Sequence, residues 1–239
     1  MKRNLRLFRY FEESRVDRFG LLFIFLLAGF IVPELLPDEG GVRWQMPLFF
    51  SLVMLSALNA ASERPREFWT AALLLALGIV PEWLHAFGVE NTEIWGRILI
   101  AIFLGYICAL ILREVLRTTE VDLEVILAAL CVYLMLALIW GVAYQVIETV
   151  NPGSFAIPAA MIEGAVNPER EVSGALQYFS YVTLTTLGYG DIQPVAPLAR
   201  SFAITEALIG QIFLVTLIAR LVAMQTATRR QEVRADRES

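Results

Sequence analysis

Six stretches of this chain are long and almost wholly apolar: Phe19–Leu36, Trp44–Ala61, Phe68–Phe87, Ile94–Leu112, Val121–Ile147 and Pro197–Ala223. A helix needs about 20 mainly apolar residues to cross a hydrocarbon layer roughly 30 Å thick, so each run predicts one crossing. In lipid every backbone N–H and C=O must find a partner within the protein, and runs of this length satisfy that as helices. The segments between them, LPDEGGVR, SERPRE, FGVENTE and LREVLRTTEVD, carry Pro, Gly and charge and read as turns between antiparallel neighbours. The first run is followed by PELLPDEGG, without a clear small-residue cleavage site, so it reads as a retained span. The expected fold is an all-α membrane protein with six transmembrane helices.

Composition removes several other classes. With 57% hydrophobic and 18% charged residues and a mean hydropathy of +0.62, the chain is too apolar for an ordinary soluble domain or a disordered one. A formal net charge of −5 lacks the basic footprint of a nucleic-acid binder. Cys108 and Cys131 both lie in apolar runs, and His85 is the sole histidine. No disulfide framework, zinc cluster or Ser/His/Asp constellation is expected from so few groups, and no enzyme. The three residues read as packing or interfacial side chains.

Orientation follows the distribution of Lys and Arg. A cytoplasmic N-terminus leaves only Arg43, Arg97, Arg170 and Arg200 of the 19 basic residues outside, and six spans return the C-terminus to the cytoplasm. Trp44, Trp69, Trp83 and Trp95 fall at span ends, where indole prefers the interface. Eleven carboxylates then face outward, a net of −7 with the four arginines. Such a surface concentrates cations; equally, the acids simply fill external loops.

Between the last two runs lies a longer stretch, 148–196, containing ALQYFSYVTLTTL, which is apolar but too short to cross. It leads into Thr185-Thr186-Leu187-Gly188-Tyr189-Gly190-Asp191. A passage that strips water from a cation must turn consecutive carbonyl oxygens toward one axis, whereas an ordinary strand alternates them. Left-handed backbone at every second residue removes the alternation, and Gly188 and Gly190 sit at that spacing. Leu187 and Tyr189 then turn their side chains away from the axis, and the Thr186 hydroxyl adds an innermost oxygen. Uncharged oxygens suit a weakly hydrated monovalent ion and permit rapid exit.

TTLGYGD resembles the selectivity-filter signature of the potassium channel superfamily, with Leu187 where Val is usual. The resemblance covers Val121 to Ala223 as outer helix, re-entrant pore helix, filter and inner helix. It implies a six-transmembrane, one-pore-loop channel, and a homotetramer, since one loop supplies a quarter of a ring. It further implies K⁺ bound at Thr186, Leu187, Gly188 and Tyr189, with Gly190 forming the outer turn. Filter support is expected from Asp191, Tyr178, Thr185 and Glu206. Asp191 anchors the outer end through Tyr178, thirteen residues earlier, or is a solvated external carboxylate. Gly210, nineteen residues past Asp191, is the inner-helix hinge or a packing glycine. Gln211, Leu214 and Ile218 then share a stripe facing a water-filled cavity, with bonding to a neighbouring helix the other role open to Gln211. Glu206 is the one carboxylate well inside a span. It reads as a protonated or hydrogen-bonded structural acid, with a gating proton sensor as the second role.

The fourth run reads ILIAIFLGYICALIL from Ile98 to Leu112, with Arg97 and Arg113 only at its ends. One charge moved through 100 mV is worth about 2.3 kcal/mol, and steep gating needs several, so weak voltage dependence is expected. The chain thus divides into an amphipathic N-terminal segment (1–18), a four-helix voltage-sensor-like domain without gating charges (19–117), a pore domain (118–223) and a cytoplasmic tail (224–239). Leu5, Leu7, Phe8 and Phe11 among arginines suit a helix lying on an anionic leaflet, or a plain lead-in. The expected function is passive K⁺ conduction across the cell membrane, with other copies and lipid as partners. No cofactor, nucleic acid or soluble ligand-binding domain is expected. The alternatives are a non-selective monovalent cation channel, which the Leu187 departure would favour, and an energised transporter subunit, which one loop with two glycines disfavours.

Overall fold

The computed structural model describes residues 15–35, 45–61, 65–87, 93–118, 122–163 and 168–238. The N-terminal segment with Leu5, Leu7, Phe8 and Phe11 lies outside the described residues, as do the side chains of His85 and of 225–239. Six helices occupy the six apolar runs: α1 (Arg15–Leu35), α2 (Gln45–Ala61), α3 (Pro65–Ala86), α4 (Glu93–Arg117), α5 (Leu123–Val150) and α7 (Pro197–Glu238). A shorter helix, α6 (Pro168–Leu184), stands between α5 and α7. Among the described residues three helices are long and apolar enough to cross a membrane: α4 over Ile94–Arg117, α5 over its whole length and α7 over Pro197–Met224. Among the described residues the apolar parts of α1 and α2 are Arg18–Gly29 and Ser51–Ala60, shorter than a bilayer requires. α3 carries Pro81 within its length.

Packing is built around α4 and α5. On α4, Ile100, Phe103, Leu104, Ile107 and Ile111 recur at helical spacing and are buried, meeting Val125, Ala128, Ala129, Val132 and Met135 of α5 in one core. Phe19, Leu22 and Leu26 of α1 and Val53, Met54 and Ala57 of α2 complete it. Alanines on α5 let neighbouring backbones come close, the usual device where helices meet without a hydrophobic driving force. Asp122 starts α5 by accepting the Val125 N–H at 2.9 Å.

α6 opens with Pro168, which needs no N–H partner there, followed by Glu169 and Glu171 at the positive end of the helix dipole. Its Ala175, Leu176 and Phe179 pack with Tyr144 of α5, Phe155 and Ala199. Tyr144, Phe155 and Phe179 meet edge to face, with ring centres 5.2–5.5 Å apart. A two-residue antiparallel ribbon, β1 (Phe155–Ala156) with β2 (Gln193–Pro194), ties the loop after α5 to the segment before α7.

Candidate functional site

α6 ends at Leu184, and the chain reverses on its last turn. Thr185 N–H and hydroxyl both donate to the Tyr181 carbonyl, at 3.1 and 2.6 Å. Leu187 and Gly188 N–H groups converge on the Val182 carbonyl, at 2.9 and 3.3 Å. Beyond this turn every second residue is left-handed: φ is 57° at Thr186, 60° at Gly188 and 77° at Gly190. Alternating the sign of φ flips successive peptide planes, which turns neighbouring carbonyls to one side of the strand. Two members of the series are the glycines singled out by spacing. The third, Thr186, escapes a reading based on glycine, because this conformation costs a residue bearing a Cβ about 1–2 kcal/mol. Its hydroxyl accepts from Gln211 Nε2 at 3.2 Å. The segment 185–191 is exposed in the single chain, Leu187 and Tyr189 included.

The Asp191 end of this segment is tied down on both sides. The Tyr178 hydroxyl donates to Asp191 Oδ2 at 2.8 Å, and Asp191 Oδ1 accepts the Ile192 N–H at 3.1 Å. Gln193 Nε2 donates to the Gly190 carbonyl at 3.1 Å. Val195 and Ala196 N–H groups reach the Ser154 carbonyl at 2.8 and 3.1 Å. Glu148 orders that loop by accepting the N–H groups of Gly153 and Phe155, at 2.7 and 3.1 Å. Gln193 and Glu148 belong to no motif; only their place beside the turn could have drawn notice.

Behind the strand, Glu206 of α7 is fully buried. Its Oε2 accepts the Tyr144 hydroxyl, and its Oε1 lies 2.5 Å from Ser180 Oγ. Ser180 Oγ also reaches the Ala137 carbonyl at 2.7 Å, which takes a second bond from Gln177 Nε2 at 3.0 Å. The Tyr133 hydroxyl donates to the Leu184 carbonyl at 3.0 Å, holding the carbonyl end of α6. The acid stood out in the sequence; Tyr144 and Ser180 did not. The available signal was that hydroxyls inside apolar segments must find partners.

Gly210 abuts α6: a Cβ there would stand 2.5 Å from the Leu184 carbonyl oxygen, so any side chain must displace backbone. Gln211 and Ile218 lie exposed on α7, whereas Leu214 packs against Tyr133, Ala137 and Leu184. The three therefore do not form one open stripe. Leu214 turns inward because the close contact at Gly210 brings that side of α7 onto α5 and α6. Farther along, Arg220 Nη2 donates to the carbonyls of Leu116 and Thr118 at 2.7 and 2.8 Å, closing the end of α4. At the other end of α4, Arg97 donates to Thr149 Oγ1 at 3.0 Å and Ser173 Oγ at 3.4 Å. Arg113 stands 3.7 Å from Glu67. Cys108 and Cys131 are buried free thiols. Among the described residues no group of His, Cys, Asp and Glu is placed to hold a metal ion.

Residues 132–227, from within α5 into α7, match the model of a family described as ion channel. A stretch of 72 residues is 42% identical to a two pore potassium channel c of Oryza sativa subsp. japonica. It takes in 30% of this chain and 14% of the rice protein, so the chain spans a small part of that relative. No solved structure matches the chain. The part of the chain running from within α5 through α6 into α7 is thus similar to an ion channel domain, and among the described residues α4, α5 and α7 are long and apolar enough to cross a bilayer.

Proposed function

We propose that the chain is one quarter of a homotetrameric, potassium-selective channel that passes K⁺ passively down its gradient. The observation that carries this reading is the left-handed alternation at Thr186, Gly188 and Gly190, directly after the carbonyl end of α6. Four such strands around one axis would offer rings of carbonyl oxygens from Thr186, Leu187, Gly188 and Tyr189, with the Thr186 hydroxyl at the inner end. The partial negative charge at a helix carboxyl end favours a cation beside it. The similarity to a potassium channel supports K⁺ as the ion. Asp191 with Tyr178 supports the outer end, Thr185 the turn, and Glu206 the rear.

In this reading all six helices in the apolar runs cross the cell membrane and both termini lie in the cytoplasm. Segment 1–18 lies at the lipid surface, 19–117 braces the pore, 118–223 conducts and 224–239 is a tail. Voltage dependence is weak, because α4 carries no charge between Arg97 and Arg113. Purified protein in a planar bilayer tests this. Reversal potentials that follow the K⁺ gradient in opposed K⁺ and Na⁺ solutions are expected, with shallow voltage dependence. Equal permeability would replace the assignment with a non-selective cation channel, and steep activation would overturn the account of α4.

A further inference from the structure

We propose that Glu206 carries a proton at neutral pH and uses it to position the pore helix α6 against α5, an inference that rests on reading Thr185–Asp191 as the filter. Three linked oxygen–oxygen contacts surround this acid, two of its own and one beyond Ser180: Tyr144 Oη with Glu206 Oε2, Ser180 Oγ with Glu206 Oε1, and Ser180 Oγ with the Ala137 carbonyl. Each lies at hydrogen-bond distance and needs a hydrogen between its two oxygens. Tyr144 and Ser180 own one hydroxyl hydrogen each, and an ionised carboxylate brings none. Two hydrogens cannot serve three contacts. The neutral acid supplies the third: its O–H donates to Ser180 Oγ, Ser180 donates to Ala137, and Tyr144 donates to the other carboxyl oxygen.

The surroundings agree with a neutral group. α5 presents the Tyr144 phenol and, farther off, that of Tyr133; α6 presents the Ser180 hydroxyl. Among the described residues no Arg or Lys makes an ion pair with Glu206. A buried carboxylate without a cation is costly, whereas a buried acid whose hydrogens are all used is not. When rising pH takes the proton to buffer, Ser180 must turn its single hydrogen to the carboxylate and release Ala137. That leaves Gln177 as the remaining donor from α6 to the Ala137 carbonyl and loosens α6 five residues before the filter begins. Conduction is therefore intact while the proton is held and declines as alkaline pH removes it.

Two readouts test this on the full-length protein in lipid. Infrared difference spectra between wild type and Glu206→Gln at neutral pH should show a protonated-carboxyl stretch that the variant lacks. Wild-type K⁺ current should fall about tenfold from neutral to alkaline pH, the scale set by the loss of one buried hydrogen bond. Glu206→Gln, whose amide donates to Ser180 and accepts from Tyr144 without titrating, should lose this alkaline limb. Ser180→Ala should blunt it, since the relay to Ala137 is gone. Absence of the carboxyl band, or an unchanged alkaline limb in Glu206→Gln, would overturn the proposal. A protein that shows the band but passes no K⁺ would sink the filter reading and the link to conduction, leaving the protonated acid established.

Discussion

α5 and α7 are both apolar enough to span a bilayer, yet over the most apolar stretch of each, α5 hides 56% of its residues within one chain and α7 only 6%. α5 is the post around which the chain is built, touched by α1, α4 and α6, while α7 leans on α6 and α5 along a single side. Its open surface runs through Ile204, Leu208, Ile212, Val215, Ile218 and Val222. Lipid could cover those side chains, but not the exposed backbone of 185–190, since irregular backbone at membrane depth must be enclosed by protein or line water. The difference teaches that α5 has found its partners within the chain, and it supports neighbouring copies as the partners of α7.

The sharpest test of that comparison places one charge on each helix. Met135→Asp buries a carboxylate in the core of α5, at a cost of several kcal/mol, and should yield no folded protein. Val215→Asp, on the open side of α7, should keep the helical circular dichroism signal while native mass spectrometry finds monomers. A tetramer that survives Val215→Asp would end the contrast. Next in size, Gly190→Asp forces a side chain into left-handed backbone at the outer turn and should cut K⁺ over Na⁺ preference about tenfold or more, read as a shifted reversal potential.

Smaller effects sharpen how α7 meets the rest. Gly210→Val pushes a side chain into the Leu184 carbonyl and should destabilise the protein by about 1–3 kcal/mol in thermal unfolding. Gly174→Ala, with nothing within 4 Å of the added methyl, should instead raise stability by about 0.5–1 kcal/mol. Arg220→Ala frees the carbonyls of Leu116 and Thr118 and loosens α7 from α4. About 1 kcal/mol there would change open probability roughly fivefold in single-channel records.

Much of this molecule is legible because its information is local. Apolar runs of bilayer length mark helices wherever they occur, since backbone in lipid has no other partner than itself. Gly188 and Gly190, two apart, announce left-handed backbone through the missing Cβ. Thr186 shares that conformation without any such mark, because the turn on Val182 and the bond from Gln211 impose it from outside. Likewise Leu214 shares a periodicity with Gln211 and Ile218 but not their exposure, which depends on where α6 lies.

Sequence alone determined where helices form, which segment is too short to cross, and which two glycines allow an alternating strand, for these follow from side-chain hydrophobicity and the steric limits of single residues. Only the tertiary structure decided that Glu206 meets Tyr144 and Ser180, that Arg220 closes α4, and that one side of α7 stands open. Those pairings join residues from 26 to 104 positions apart. Hydrogen bonds over such separations depend on how helices dock, and no local pattern of residues encodes that docking.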